Sequence, residues 1–582
     1  MRKRIIQLAS CPKGYTHDQD KACSPEETVA RFKARLDAAG LDILREVRRI
    51  DNGRLDIPVY FSVCGEDARA IIGTKKQMGK GATPVQSQAS ACMELAERFS
   101  FFSFLRDPEN FLVGDYASMR DQGYPVLDLQ VLLDSVGDTT HTPDQLETLL
   151  DGLPLRWSWA YNLTRNAEVL VPFSWFYAIN EFNGPSAGNT YEEAVLQGIS
   201  EVVERHVCAL VNREQRATPA IDPDSVTDPV ARDLIDKFTR AGIRLFLNDF
   251  SLDTGIPTVA ALAYDPATFP DTSEIVFTAG TTPGAAKALI RALTEVAQLA
   301  GDFNTSANYV ASGLPKPRSL EEVDYVINSA RKIRLDEMAD LQDPDFYNEV
   351  MGCVQALSRI NMEILVIDTA HPDLRIPAAY TIIPGAQFRE RAASGDAPLF
   401  AAKLATELLQ GEERIRRLAA MEKLLPDAYY LQFYMGRHLY EQGEVEQARA
   451  YLEKALRLSP RDEDLPYIHS YLGSCMRDLG CYEEAIATLK QGLAHDPERP
   501  DMYNILGVCA FKIGQYETAV DYFQQAVQLN PASAIDHANL ALNQEKTGQF
   551  EEALANYQVA LSIDPDIEFA RTGLERVVSR LS

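Results

Sequence analysis

Basic residues are in short supply in this chain: 57 lysines and arginines stand against 84 aspartates and glutamates, a formal net charge of −27 over 582 residues. Neutralising a phosphate backbone needs a basic surface, so a nucleic-acid-binding role is excluded, and basic polypeptides are the better matched partners. No run of about 18 apolar residues occurs, so no membrane span is expected. The charged opening Met1-Arg2-Lys3-Arg4 is followed only by Ile5-Ile6-Gln7-Leu8, too short for the apolar core of a signal peptide. The nine cysteines include no C-x-x-C pair and no Cys/His cluster at zinc spacing, which argues against a zinc module. Reduced, mostly buried thiols in a cytoplasmic protein are expected.

What the sequence does have is a pair of short acidic runs, Glu94-Leu95-Ala96-Glu97-Arg98 and Glu201-Val202-Val203-Glu204-Arg205, each inside an apolar, helix-forming stretch. Helical spacing puts positions i, i+3 and i+4 on one face, so each run aims two carboxylates and a guanidinium the same way. One such run alone is an ordinary solvated helix face. Two runs in otherwise apolar helices have little reason to be solvent cover. If the faces converge, four carboxylates and two arginines share a site that makes sense only when cations, and with them phosphates, fill it. A di-iron carboxylate bundle would need Glu-x-x-His at this spacing, which neither run has. Cys92 and Cys208 lie beside the runs and read as small buried residues rather than nucleophiles.

Residues 1–400 read as a mixed α and β domain. Strand-like stretches such as Ile57-Pro58-Val59-Tyr60-Phe61-Ser62-Val63, Thr258-Val259-Ala260-Ala261-Leu262-Ala263-Tyr264 and Ile364-Leu365-Val366-Ile367-Asp368 alternate with long helical patterns. Gly79-Lys80-Gly81-Ala82-Thr83-Pro84 runs into the first glutamate helix, and Asn183-Gly184-Pro185-Ser186-Ala187-Gly188-Asn189-Thr190 into the second. Both read as glycine-bearing loops ending at a helix start, where free N–H groups favour anions. Neither matches the P-loop or dinucleotide fingerprint.

After a helical linker at 401–426, residues 427–582 repeat. Gly436, Gly443, Ala448, Leu452, Ala455 and Pro460 recur as Gly473, Gly480, Ala485, Leu489, Gly492 and Pro497, and twice more toward the end of the chain. The last units are about 34 residues apart, and the stretch resembles tetratricopeptide repeats, about four of them. Small residues would let two helices approach, and the second glycine would turn between them. A capping helix is expected at 568–581 with Phe569, Leu574, Val577, Val578 and Leu581 inward. Such arrays bind partner proteins in a concave groove, or brace the rest of the chain. From Asp427 onward about 24 acidic residues outnumber about 13 basic ones, favouring a basic ligand.

The first run with its lead-in, Ser90-Ala91-Cys92-Met93-Glu94-Leu95-Ala96-Glu97-Arg98, resembles the S-x-x-x-E-x-x-E-R signature of the YcaO family. Residues 183–205 resemble its second signature, Arg291-Ala292-Leu293-Thr294-Glu295 its third, and Lys21 with Thr28 its N-terminal nucleotide-contacting element, over roughly residues 15 to 400. The resemblance implies an α+β YcaO-type catalytic domain that activates a peptide amide with ATP, followed here by an all-α tetratricopeptide solenoid. It implies that Glu94, Glu97, Glu201 and Glu204 hold magnesium ions. Lys21, Thr28, Ser90, Asn189, Glu193, Arg205, Arg291 and Glu295 would contact the nucleotide. No catalytic nucleophile is assigned, and a homodimer is expected.

Two departures bear on which reaction is expected. Ala300 follows Gln298-Leu299 where relatives often carry arginine, and the chain closes on Val577-Val578-Ser579-Arg580-Leu581-Ser582 rather than the P-x-P-x-P tail of azoline-forming relatives. The resemblance is therefore closer to the bacterial YcaO subgroup, an accessory factor for methylthiolation of a ribosomal protein. An azoline cyclodehydratase or thioamide-forming enzyme, and a non-catalytic binding scaffold, are the alternatives.

Overall fold

The computed structural model describes residues 2–51, 53–73, 77–300, 303, 317–388 and 395–581. They form two compact units, Met1–Phe400 and Ala401–Ser582.

The first unit holds three sheets. A five-stranded sheet runs in the order Val276–Thr281, Thr258–Tyr264, Arg244–Asp249, Ala220–Ile221, Lys332–Ile333. Its second strand shows no polar alternation because both faces are covered. Val259, Ala261 and Ala263 pack in one core with Ala288, Leu289, Ala292 and Val296 of the Ala285–Ala300 helix. Ala260 and Leu262 pack in another with Val207, Cys208 and Val211 of the Tyr191–Glu214 helix. A three-stranded antiparallel sheet, Leu44–Arg49, Val59–Cys64 and Gln77–Lys80, backs the Pro84–Arg106 helix, whose Cys92, Leu95, Ala96 and Phe99 share a core with Phe32, Ile43 and Cys64. The six-stranded sheet includes the short Pro185–Ala187 strand, paired antiparallel with Ala378–Ile382.

The two glycine-bearing segments expected as loops are partly strand. Residues 77–80 and 185–187 pair into sheets before the chain turns at Thr83 and Thr190, whose hydroxyls cap the following helices by accepting from the Gln86 and Glu193 N–H groups. Missing side chains explain this. A Cβ on Gly79 would stand 2.0 Å from the Ser87 carbonyl oxygen and 2.3 Å from the Ala91 nitrogen, so glycine lets the strand lie directly on helix backbone. Gly184 has φ +101° and lies as close to the Thr381 carbonyl. The strand at Thr258–Tyr264 has the bounds read from sequence; the other two begin one or two residues later, at Val59 and Leu365.

Among the described residues of the second unit all regular structure is helical. After the Gly411–Leu424 helix come four antiparallel pairs: Tyr429–Glu441 with Val445–Arg457, Leu465–Asp478 with Tyr482–His495, Pro500–Lys512 with Tyr516–Leu529, and Ala534–Thr547 with Phe550–Ile563. A Cβ on Gly436, Gly473 or Gly507 would fall within 2.8 Å of Leu452, Leu489 or Phe523, the helix-to-helix approach expected of small residues there. The capping helix spans Glu568–Leu581, but its inward face differs from the expected one. Ala570, Gly573 and Val577 are buried with Leu574 packed beside them, while Phe569, Val578 and Leu581 are exposed. Val577 and Leu574 face inward as expected, but Tyr557 stands where a side chain on Gly573 would go, so alanine and glycine complete that face in place of Phe569, Val578 and Leu581.

Candidate functional site

The buried helices set the site. The Pro84–Arg106, Tyr191–Glu214 and Ala285–Ala300 helices each bury one face in sheet and core and turn another toward a common cavity of about 240 Å³. All twelve residues singled out from sequence line it: Lys21, Thr28, Ser90, Glu94, Glu97, Asn189, Glu193, Glu201, Glu204, Arg205, Arg291 and Glu295. Six carboxylates meet five cationic side chains there, Lys80 and Arg98 being the additional cations.

The carboxylates divide by environment. Glu204 is buried; it accepts from the Thr281 N–H at 3.1 Å and lies 3.3 Å from the Arg291 Nε. Burial still pushes its pKa above the usual carboxylate range against the pull of Arg291. Glu94 is raised to about 7, first by burial, with the Glu201 charge adding to it and Arg98 and Lys80 opposing it. Glu97, 3.5 Å from the Arg98 Nε, is pushed well up by burial and by its neighbours Glu201 and Glu94. Glu295 goes the other way: burial raises it, but Lys80, Arg205 and Arg291 together hold it below the normal value, and it pairs directly with Lys80. Glu193 is held by Asn189 Nδ2 at 3.1 Å and by the Ala22 N–H at 2.9 Å, with the Lys21 ammonium 3.5 Å away.

Among the described residues no three His, Cys, Asp or Glu side chains are grouped as a ready metal site. Glu193 and Glu295 pair with lysines, and burial raises Glu94, Glu97 and Glu204. The residues fit a metal nucleotide on three counts. Carboxylate oxygens are the ligands hard divalent cations take. The lining is near charge balance, so a triphosphate and its cations are welcome together where either alone is not. The Arg205 Nε is buried with no hydrogen-bond partner, a donor waiting for an acceptor.

Several lining residues were not picked from sequence. Lys80 lies in the segment read as an anion-binding loop; its ion pair with Glu295, 215 residues away, gives no local signal. Gln197 accepts from Arg291 Nη1 at 2.9 Å, and Gln298 donates to the Met78 carbonyl at 3.4 Å with its own oxygen unpartnered. Ala300 packs in the core and does not line the cavity. Cys92 and Cys208 are fully buried; burial pushes the Cys92 thiol up to about 11 and the Cys208 thiol well above the usual range, so neither is a nucleophile.

Comparison with known proteins points the same way. Residues 78–387, more than half of the chain, match the family described as YcaO cyclodehydratase, ATP- and Mg2+-binding. Residues 429–462, 477–534 and 537–567 match tetratricopeptide repeat models. An uncharacterized protein of Methanothermobacter thermautotrophicus is 29% identical over 63% of this chain and 94% of its own. The Escherichia coli ribosomal protein S12 methylthiotransferase accessory factor YcaO is 26% identical over 63% of this chain and 65% of its own. Two solved structures share the fold. A heterocyclase in complex with substrate and cofactor has TM-score 0.54 at 23% identity, over 66% of this chain and 54% of that one. The YcaO from Methanopyrus kandleri bound with AMPPCP and Mg2+ has TM-score 0.50 at 21% identity, over 65% and 94%.

Proposed function

Since the chain belongs to the YcaO family, with ATP and Mg2+ as its cofactors, we propose that it activates a backbone amide of a protein or peptide. ATP supplies the phosphoryl group that turns the amide oxygen, once a nucleophile has added at the carbonyl carbon, into a phosphate leaving group. The chain's own residues bind and orient. Glu94, Glu97, Glu201 and Glu204 would hold the cations, while Arg205, Arg291 and Lys21 would offset phosphate charge. Ser90, Thr28, Asn189, Glu193 and Glu295 would complete the nucleotide pocket. In such a transfer, positioning and charge compensation supply most of the acceleration.

The observation that carries this reading is the convergence of four separate sequence segments on one acid- and guanidinium-lined cavity, with the buried Arg205 Nε lacking a hydrogen-bond acceptor. Within the family, the finer proposal is assistance to ribosomal protein methylthiolation; likeness to the Escherichia coli accessory factor supports it. The tetratricopeptide unit would capture the partner protein, a basic one by its acidic composition. Deleting the gene in its host and weighing the small-subunit ribosomal protein tests this. Loss of the methylthio increment, restored by the wild-type gene but not by a Glu204→Gln copy, is expected. An unchanged modified mass sinks the accessory role and leaves peptide natural-product chemistry as the reading to pursue.

A further inference from the structure

Residues 12–23 form a strap that carries Lys21 to the cavity, and buried polar contacts hold it. Its loop closes on itself, with Tyr15 and Lys21 exchanging backbone hydrogen bonds at 3.0 and 2.9 Å. Asp18, fully buried, accepts from the Tyr15 hydroxyl at 2.8 Å and from the Ala82 N–H at 3.1 Å, in the turn that leads into the first glutamate helix. The Lys287 ammonium donates to the Thr16 carbonyl at 2.8 Å and the His17 carbonyl at 2.5 Å. Lys287 lies one and two helical turns before Arg291 and Glu295 on the same helix, at its first turn. Lys13 pairs with Asp20 at 2.7 Å and with the buried Glu349 at 2.5 Å. The Ala22 N–H reaches Glu193 on the second glutamate helix. The strap is thereby fastened to an element leading into, or belonging to, each of the three cavity helices.

Buried charges are costly to desolvate, and a surface loop needs none to close. Nor do Asp18, Lys13 or Lys287 line the cavity. We propose that these three are positioning residues for the nucleotide: Asp18 fastens the strap to the turn before the first glutamate helix, Lys287 to the Ala285–Ala300 helix, and Lys13 to Glu349 on the Phe346–Ser358 helix, so that Lys21 and the nearby Thr28 face the phosphate-binding space. This rests on the nucleotide reading of the site. Strap docking and nucleotide binding are then linked, and linkage is reciprocal: loosening the strap weakens ATP, and ATP tightens the strap.

The full chain with Lys287→Met, and separately with Asp18→Ala, is compared with wild type by calorimetric titration of ATP in excess Mg2+ and by hydrogen exchange read by mass spectrometry. Each variant is expected to lose roughly 10–100-fold in ATP affinity and to exchange faster at residues 12–23, while the Thr258–Tyr264 strand keeps its protection. Saturating ATP should slow strap exchange in wild type. Faster strap exchange with ATP affinity within about twofold of wild type overturns the proposal, as does a wild-type strap indifferent to ATP. Should Lys287→Met expose the central strand, Asp18→Ala decides by the same criteria. A wild type that binds no ATP removes the nucleotide reading itself, a result distinguishable from either of these.

Discussion

Glu94 is the residue whose chemistry is most open to measurement. Burial raises it to about 7, so below that pH the carboxyl holds a proton that a cation must displace. The sign follows: Mg2+-dependent ATP affinity should rise with pH up to about 7 and flatten above it, by at most about tenfold per unit from this one group. Glu94→Gln should weaken binding and remove that part of the slope; a variant that keeps the wild-type pH profile would show that another group titrates. The glutamates were legible because helical spacing makes like charges conspicuous. Lys80 was not, because its role depends on a partner on another helix. The opposite directions in which Glu94 and Glu295 are shifted are likewise a property of assembled neighbours, invisible in either local sequence.

At the scale of elements, the approach of the Gln77–Lys80 strand to the first glutamate helix is the most exposed to a single change. Gly79→Ala adds a Cβ against helix backbone that cannot move aside. A loss of about 1–3 kcal/mol in denaturant unfolding is expected, with weaker ATP binding because Lys80 follows directly. Full stability in this variant would contradict the close packing described. In the capping helix, Gly573→Val should destabilise the second unit through Tyr557, whereas Val578→Ser on the exposed face should change its melting little. The helix starts were readable at the ends of the two glycine-bearing segments, where Thr83 and Thr190 supply local caps. The short strands just before them were not, since pairing with chain about twenty to two hundred residues away decides them. On the last helix Leu574 and Val577 were read correctly, but Phe569, Val578 and Leu581 were not, because a neighbour's tyrosine fills the space beside Gly573.

The whole molecule consists of two compact units, Met1–Phe400 and Ala401–Ser582. Repeat periodicity made the second legible, and four ordered motifs the first; the sequence offered no comparable signal for substrate or nucleophile. Truncation from residue 427 onward is expected to leave ATP affinity within about twofold of the full chain and to abolish co-purification of a basic partner protein, checked by pull-down from host extract. Partner retention by the truncated chain would assign capture to the first unit instead. Calorimetric titration of ATP into wild type, Glu94→Gln and Glu204→Gln, with Mg2+ and with chelator, decides whether the two glutamate helices form one magnesium-nucleotide site. Binding that requires Mg2+ in wild type and falls by roughly 10–100-fold in each variant is expected. Equal affinity in all three proteins, or binding indifferent to Mg2+, would contradict it.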